Sequence, residues 1–306
     1  MRNVLSLVAI ALMATPALAA PTLDGSVAGD GYTMHAVQKT QTNFGDNESE
    51  LDAAWAQIDS GVLYLVLTGN LQNNFNKLNV FIDSVAGGEN LLTADANNGG
   101  NNPENDNWAN KHAGMMFDAG FAADYMIIMR NGNFGGDKFD IDLATVGGGL
   151  GAFEAAGDVF GGSLTGSNAN ALPLAGIGVA FDNSNAAGVS GGTGAADQLA
   201  AAAVTTGIEL AIPLSAIGNP ASAGDIKISA MVNGSNHDFL SNQFLGALSP
   251  PQGNLGGDGN GNFTGSVSGV NLKNFSGFQF FNVPEPATLA LAGFALVGML
   301  AARRRD

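Results

Sequence analysis

The chain of 306 residues contains no cysteine. Disulfides, thiolate metal sites and cysteine nucleophiles are therefore excluded, and an exported body must rest on its own apolar core. Basic residues are scarce, 11 Lys and Arg against 27 Asp and Glu. So acidic a surface repels phosphate backbones, which argues against any nucleic-acid partner. The shortage of Lys and Arg also argues against many long amphipathic surface helices. The three histidines, His35, His112 and His237, show no metal-ligand spacing to one another. What is plentiful is glycine, 44 residues, together with asparagine. This is the composition of strands joined by tight turns.

The two ends stand apart from the rest. Met1-Arg2-Asn3 is a short positive region, an apolar run follows from Val4 to Ala14, and Ala17-Leu18-Ala19 is a small-residue cleavage pattern. Residues 1–19 thus read as a secretory signal peptide, with Ala20 as the first mature residue. The chain closes on VPEPATLALAGFALVGMLAARRRD. Residues 287–302 carry no charge. As a helix they span roughly 24 Å, somewhat short of a ~30 Å hydrocarbon core, a mismatch that flanking residues and local thinning absorb. Arg303, Arg304 and Arg305 follow at once, and a basic cluster there stays on the cytoplasmic side. The segment reads as a transmembrane helix that stops transfer. Pro284 and Pro286 keep that helix from running into the body and leave an extended, accessible stretch.

Three parts in this order, Val283-Pro284-Glu285-Pro286, an apolar helix at 287–302 and a basic tail at 303–306, resemble the PEP-CTERM sorting signal. The resemblance implies that an exosortase-type membrane enzyme recognises the tail and removes it. It also implies a Gram-negative bacterium that makes exopolysaccharide. The protein would be anchored transiently in the inner membrane, then reside at the cell surface or in the extracellular biofilm matrix, with exopolysaccharide as a candidate partner.

The expected body, residues 20–282, keeps 7 basic and 25 acidic residues, a formal charge of −18. Strands are expected at 34–40, 51–59, 61–71, 77–84, 125–130, 137–144, 207–214, 226–234 and 278–283. Ser60-Gly61 makes a hairpin of 51–71. Residues 86–113 and 241–263 read as long polar loops. Residues 147–194 carry no clear pattern, and 197–204 fits either a short helix or a strand. The fold class is mainly β, an antiparallel sandwich with long Gly/Asn-rich loops. Leu23-Asp24-Gly25, AQIDSGVLYLVLTGNL and LNVFIDS are similar to DOMON-like sandwiches and family-9 carbohydrate-binding modules. The Trp usual soon after the Asp-Gly start is missing, with Tyr32 the nearest aromatic.

Candidate chemistry is sparse. Trp108, with Asn107 and Asp106, is either a stacking platform for a sugar ring or a pin that holds its loop to the sandwich. Trp55 is expected in the core. Asp95, Asp106 and Asp258 are either solvated loop carboxylates or ligands of a calcium ion. An EF-hand is excluded, because Phe263 replaces the required glycine and no Glu follows at the twelfth position. Gly188-Val189-Ser190-Gly191-Gly192 matches G-x-S-x-G, but no strand leads into it, so it reads as a loop. No catalytic constellation emerges. The expectation is a non-catalytic surface or matrix protein. The alternatives are a purely structural sandwich or adhesin with bound calcium, and a secreted carbohydrate-active enzyme.

Overall fold

A computed structural model describes residues 20–94, 107–147, 153–157, 159–160, 169–171 and 174–283. The expected signal peptide at 1–19, Asp95, Asp106, Pro284, Glu285, Pro286, the 287–302 segment and Arg303 to Arg305 lie outside the described residues. Among the described residues no helix is long and apolar enough to cross a membrane.

Apolar alternation becomes strand pairing along most of the chain. In order come β1 (Thr33–Val37), β2 (Glu50–Asp59), β3 (Val62–Asn70), β4 (Lys77–Asp83), α1 (Trp108–His112), β5 (Tyr125–Asn133) and β6 (Asp137–Thr145). Then follow β7 (Phe153–Ala156), β8 (Ala169–Ala171), β9 (Gly178–Phe181), α2 (Gln198–Ala202), β10 (Gly207–Pro213), β11 (Lys227–Asn233), β12 (Leu240–Leu245) and β13 (Phe281–Asn282). One antiparallel sheet has the order β1-β2-β3-β10-β9-β8. The other runs β12-β11-β4-β5-β6-β7, with β13 also on β11. The β2–β3 hairpin turns through Ser60 and Gly61, both at positive φ (50° and 81°). A two-residue turn of that hand matches the twist of the strands it joins.

The register sorts side chains into two cores. Leu63, Leu65 and Leu67 of the first sheet face Leu78, Val80, Ile82 and Ile127 of the second, and this aliphatic layer holds the sheets together. The opposite face of the second sheet is covered as well. Phe81, Met126, Ile128, Met231 and Phe244 meet Trp108, Met115, Phe117, Phe121, Leu248 and Val270, supplied by α1 and by loops. The result is two sheets and a third, irregular layer of polar-looking loops pinned by aromatic rings.

Several expectations change. The presumed polar loop at 241–263 begins with β12, whose six residues are all buried. Its polar side chains are spent on hydrogen bonds: Asn242 Nδ2 donates to Gln41 O at 2.7 Å and to Gln252 O at 2.8 Å. The unassigned 147–194 stretch contributes β7, β8 and β9. Residues 197–204 resolve as α2, capped by Asp197 accepting from the Leu199 and Ala200 amides. Trp55 pairs with Val66 and lies on the outer face of the first sheet, only partly buried, because its register neighbours Ala54 and Ala56 take the inward positions. The terminal strand at 278–283 shortens to Phe281–Asn282.

Candidate functional site

The tail leaves the body from a fixed point. Asn282 pairs with Lys227 and Phe281 with Ile228, and the Val283 amide donates to Ile226 O at 2.9 Å. Upstream, Ser229 Oγ donates to Gln279 O at 2.7 Å, and the Gln279 amide to Asp118 Oδ2 at 3.0 Å. Val283 is 1% exposed and, with Phe281, belongs to the core between the sheets. Val283, placed by its sequence in the sorting motif, therefore also closes the body. The backbone is held up to the residue before Pro284.

Beside this exit lies a groove of about 670 Å³ between β1 and the segment that leads into β13. Its lining includes Met34, His35, Lys39, Phe278, Phe280 and Asn282 and, among the described residues, no carboxylate. The His35 ring lies parallel to Phe281, 3° between planes and 6.4 Å between centroids. Burial holds the His35 imidazole below its ordinary pKa. Met34 is 40% exposed and Phe278 64%. Among the described residues β1 pairs only with β2 within its sheet, so one of its backbone edges has no strand partner among them.

The sequence-predicted ligand residues are not brought together. Trp108 is 2% exposed and packed in the second core, 6.3 Å from His112 between ring centroids. Its ring face is not presented to solvent. Asn107 stands at φ 61° just ahead of α1, and its Oδ1 accepts from Asn110 Nδ2 at 2.5 Å. Asp258 is engaged by its own loop, accepting from the Asn260 amide at 2.9 Å, the Asn262 amide at 3.2 Å and Asn262 Nδ2 at 2.7 Å. Those donors hold its carboxyl down at about 2. Ser190 lies in an irregular loop, where its Oγ accepts from Gln41 Nε2 at 3.0 Å. Among the described residues no three or more His, Asp or Glu side chains converge as metal ligands.

Two buried titratable clusters went unseen in the sequence. At the start of β2, Glu50 and Asp52 are both 0% exposed. Asn185 Nδ2 shares its two hydrogens among Asp52 Oδ2 (3.3 Å), Glu50 Oε1 (3.4 Å), Asn70 Oδ1 (3.1 Å) and Ala187 O (2.6 Å). The Val189 amide donates to Asp52 Oδ1 at 2.8 Å. Burial pushes Glu50 up to about 7 and Asp52 up to about 8, against the amides that favour their charge. Gly188, at φ 111°, has no room for a side chain, since a Cβ there would lie 2.0 Å from Asp52 Oδ1. The first glycine of the G-x-S-x-G match thus serves the approach of Asp52 to the 185–189 loop. A Glu-x-Asp pair opening an apolar strand was the available signal.

The second cluster lies over the outer face of the second sheet. His112 and His237, both 0% exposed, sit 5.3 Å apart between ring centroids. His112 Nδ1 faces Trp108 O at 2.9 Å, and its Nε2 faces Asn79 Nδ2 at 3.3 Å and Asn233 Nδ2 at 3.4 Å. These partners select the neutral tautomer with hydrogen on Nδ1. Burial pulls His112 down to about 4. His237 has no hydrogen-bond partner for either ring nitrogen and a left-handed backbone at φ 56°. Its pKa falls well below the ordinary value, first through burial, then through His112, Lys77, Arg130 and Lys111. Nearby, Arg130 Nη1 donates to Asp142 Oδ2 at 2.5 Å and its Nε to Asp140 Oδ2 at 3.1 Å.

Residues 282–305 match the family model of the PEP-CTERM protein-sorting motif. The chain therefore carries this sorting signal, which marks an exported protein with a transiently membrane-anchored C-terminus, recognised by an exosortase. No curated protein and no solved structure matches the chain.

Proposed function

We propose that the protein is an exported, non-catalytic β-sandwich of the cell surface or extracellular matrix of a Gram-negative bacterium. Its tail holds it at the inner membrane until an exosortase-type enzyme removes that tail. The observation that carries this reading is the position of Pro284, Glu285 and Pro286 directly after a residue that is fixed in the core. Val283 is hydrogen-bonded and 1% exposed, and Pro284 comes next. Among the described residues the strands and both cores run up to Val283, so cleavage beyond that residue removes none of the described packing. Buried carboxyls and amides engaged in structural hydrogen bonds, as at Glu50, Asp52 and Asn242, support a scaffold rather than an enzyme.

Exopolysaccharide is the partner proposed for the processed body, within the matrix where such proteins end. A purely structural role competes with it, and the burial of Trp108 favours that second reading. The test has two parts. Mass spectrometry of the released protein's C-terminus is expected to find Arg303 to Arg305 gone in a host with the sorting enzyme and present in one without it. A pull-down of the released body on the host's purified polysaccharide then separates the two roles: retention supports binding, and flow-through supports a structural sandwich.

A further inference from the structure

The groove between β1 and the β13 segment lies where an enzyme engaging the tail must approach. Val283 is fixed in the core, and three residues beyond it reach at most ~11 Å. Any enzyme that closes its cleft around Pro284, Glu285 and Pro286 therefore stands against this end of the body. We propose that the processing enzyme docks in this groove, so that recognition of the substrate extends from the motif into the folded domain. The proposal rests on the reading of residues 282–305 as a sorting signal.

Three properties of the groove fit a protein partner at that place. It is continuous with the exit, because Asn282 lines it and Val283 follows. It exposes large apolar side chains, Met34 at 40% and Phe278 at 64%, beside the partly buried Phe280. Exposed apolar patches rimmed by polar groups are what protein interfaces cover. Among the described residues its lining holds no carboxylate, on a body whose formal charge is −18, and Lys39 is the charged side chain there. An approaching surface meets less like-charge repulsion from acidic groups here than elsewhere. The strand edge of β1, without a strand partner among the described residues, offers backbone hydrogen bonds to an extended segment of the enzyme.

The test follows processing of the full-length chain in cells that contain the sorting enzyme, by pulse-chase with mass spectrometry of the C-terminus. Met34→Ser together with Phe278→Ser is expected to slow processing roughly tenfold. Both side chains are exposed, so the released body should melt within about 2 °C of wild type, which separates docking from folding. A ten-residue Gly/Ser spacer between Val283 and Pro284 supplies the second arm. With the spacer in place, chains with the wild-type and the substituted groove should be processed at equal rates, since motif and groove no longer present a fixed geometry. If the double variant without the spacer is processed at the wild-type rate, the docking proposal is overturned while the sorting signal stands. If the wild-type chain is not processed at all, the sorting reading itself fails, and this one with it. If the double variant is processed normally but the released body loses flotation with phosphatidylethanolamine/phosphatidylglycerol vesicles, or retention on polysaccharide, the groove serves lipid or glycan and the proposal is wrong.

Discussion

The carboxyl pair at the start of β2 and the histidine pair over the second sheet are both buried, and burial pushes both toward the neutral form, yet they differ in almost every other respect. Glu50 and Asp52 are saturated with partners: Asn47, Asn185 and Val189 all donate to them. His237 has none for either ring nitrogen. The carboxyls hold a loop against a strand through directed hydrogen bonds. The histidines meet edge to face beneath loops that aromatic packing holds down. The pairs also answer acid in opposite senses. A carboxyl whose folded pKa is raised binds its proton more tightly when folded, so its stabilising effect is complete below about pH 4 and is lost as pH rises toward 7 or 8. A histidine whose folded pKa is lowered is neutral in both states above about pH 6.5, and stability is lost as pH falls from there toward 4. The two pairs together favour a stability maximum in mildly acidic solution.

The largest expected effect breaks the carboxyl side. Gly188→Ala places a methyl group 2.0 Å from Asp52 Oδ1 on a backbone at φ 111°. A loss of about 3 kcal/mol, or roughly 6–12 °C in melting temperature, should appear in thermal circular dichroism. An unchanged midpoint would mean that Asp52 does not approach the loop. Asp52→Asn separates charge from contact. The amide oxygen still accepts from Val189, and the ionisation is gone. The variant should gain about 1 kcal/mol at pH 8 and nothing at pH 4; a gain of equal size at both would assign the effect to packing.

The histidine side responds in the other direction. His237→Phe removes a buried group that must gain a proton on unfolding in acid. The melting temperature at pH 5, taken relative to that at pH 7.5, should be roughly 3 °C higher in the variant than in wild type, about 1 kcal/mol. An identical acid limb in wild type and variant would remove His237 from the account. The smallest effect belongs to Trp108→Phe. The indole Nε1 has no partner, so only part of a ring is lost, and stability should fall by about 1 kcal/mol or less. Polysaccharide retention, where the wild type shows it, should persist in this variant, because the ring is inside the second core. Loss of retention without loss of stability would return Trp108 to a binding role.

Much of the sandwich was legible because its inner faces follow simple periods. Ile208, Leu210 and Ile212 alternate along β10 and face the core as their spacing requires. β12 was not legible, because Ser241, Asn242 and Gln243 read as loop by composition, and their burial depends on acceptors about 200 residues away in the chain and on Gln252. The histidine pair was hidden for a similar reason. His112 and His237 are 125 positions apart, and only the covering of the second sheet by two separate loops brings the rings together. For Trp108, in a run of Asn and Asp, the sequence left two readings, a sugar platform or a pin for its loop, and burial in the second core fits the pin. Hydropathy in a window cannot show that a polar loop drives one aromatic residue into a core on the far side of a sheet. The sorting signal was readable in full, because its order lies in contiguous sequence.

The short strand at the tail exit has a mechanical consequence. While the protein is tethered, any pull between body and membrane enters at Val283, through its bond to Ile226 O and then the Asn282 and Phe281 pairings with β11. The load reaches these contacts in sequence from the C-terminal end, as in peeling, before it reaches the interior strands. Val283 and Phe281 are also core residues, so extra slack comes only by drawing apolar side chains into water. The tether is thus stiff under small forces, and under larger ones it yields by a few residues at one edge while the two sheets remain joined.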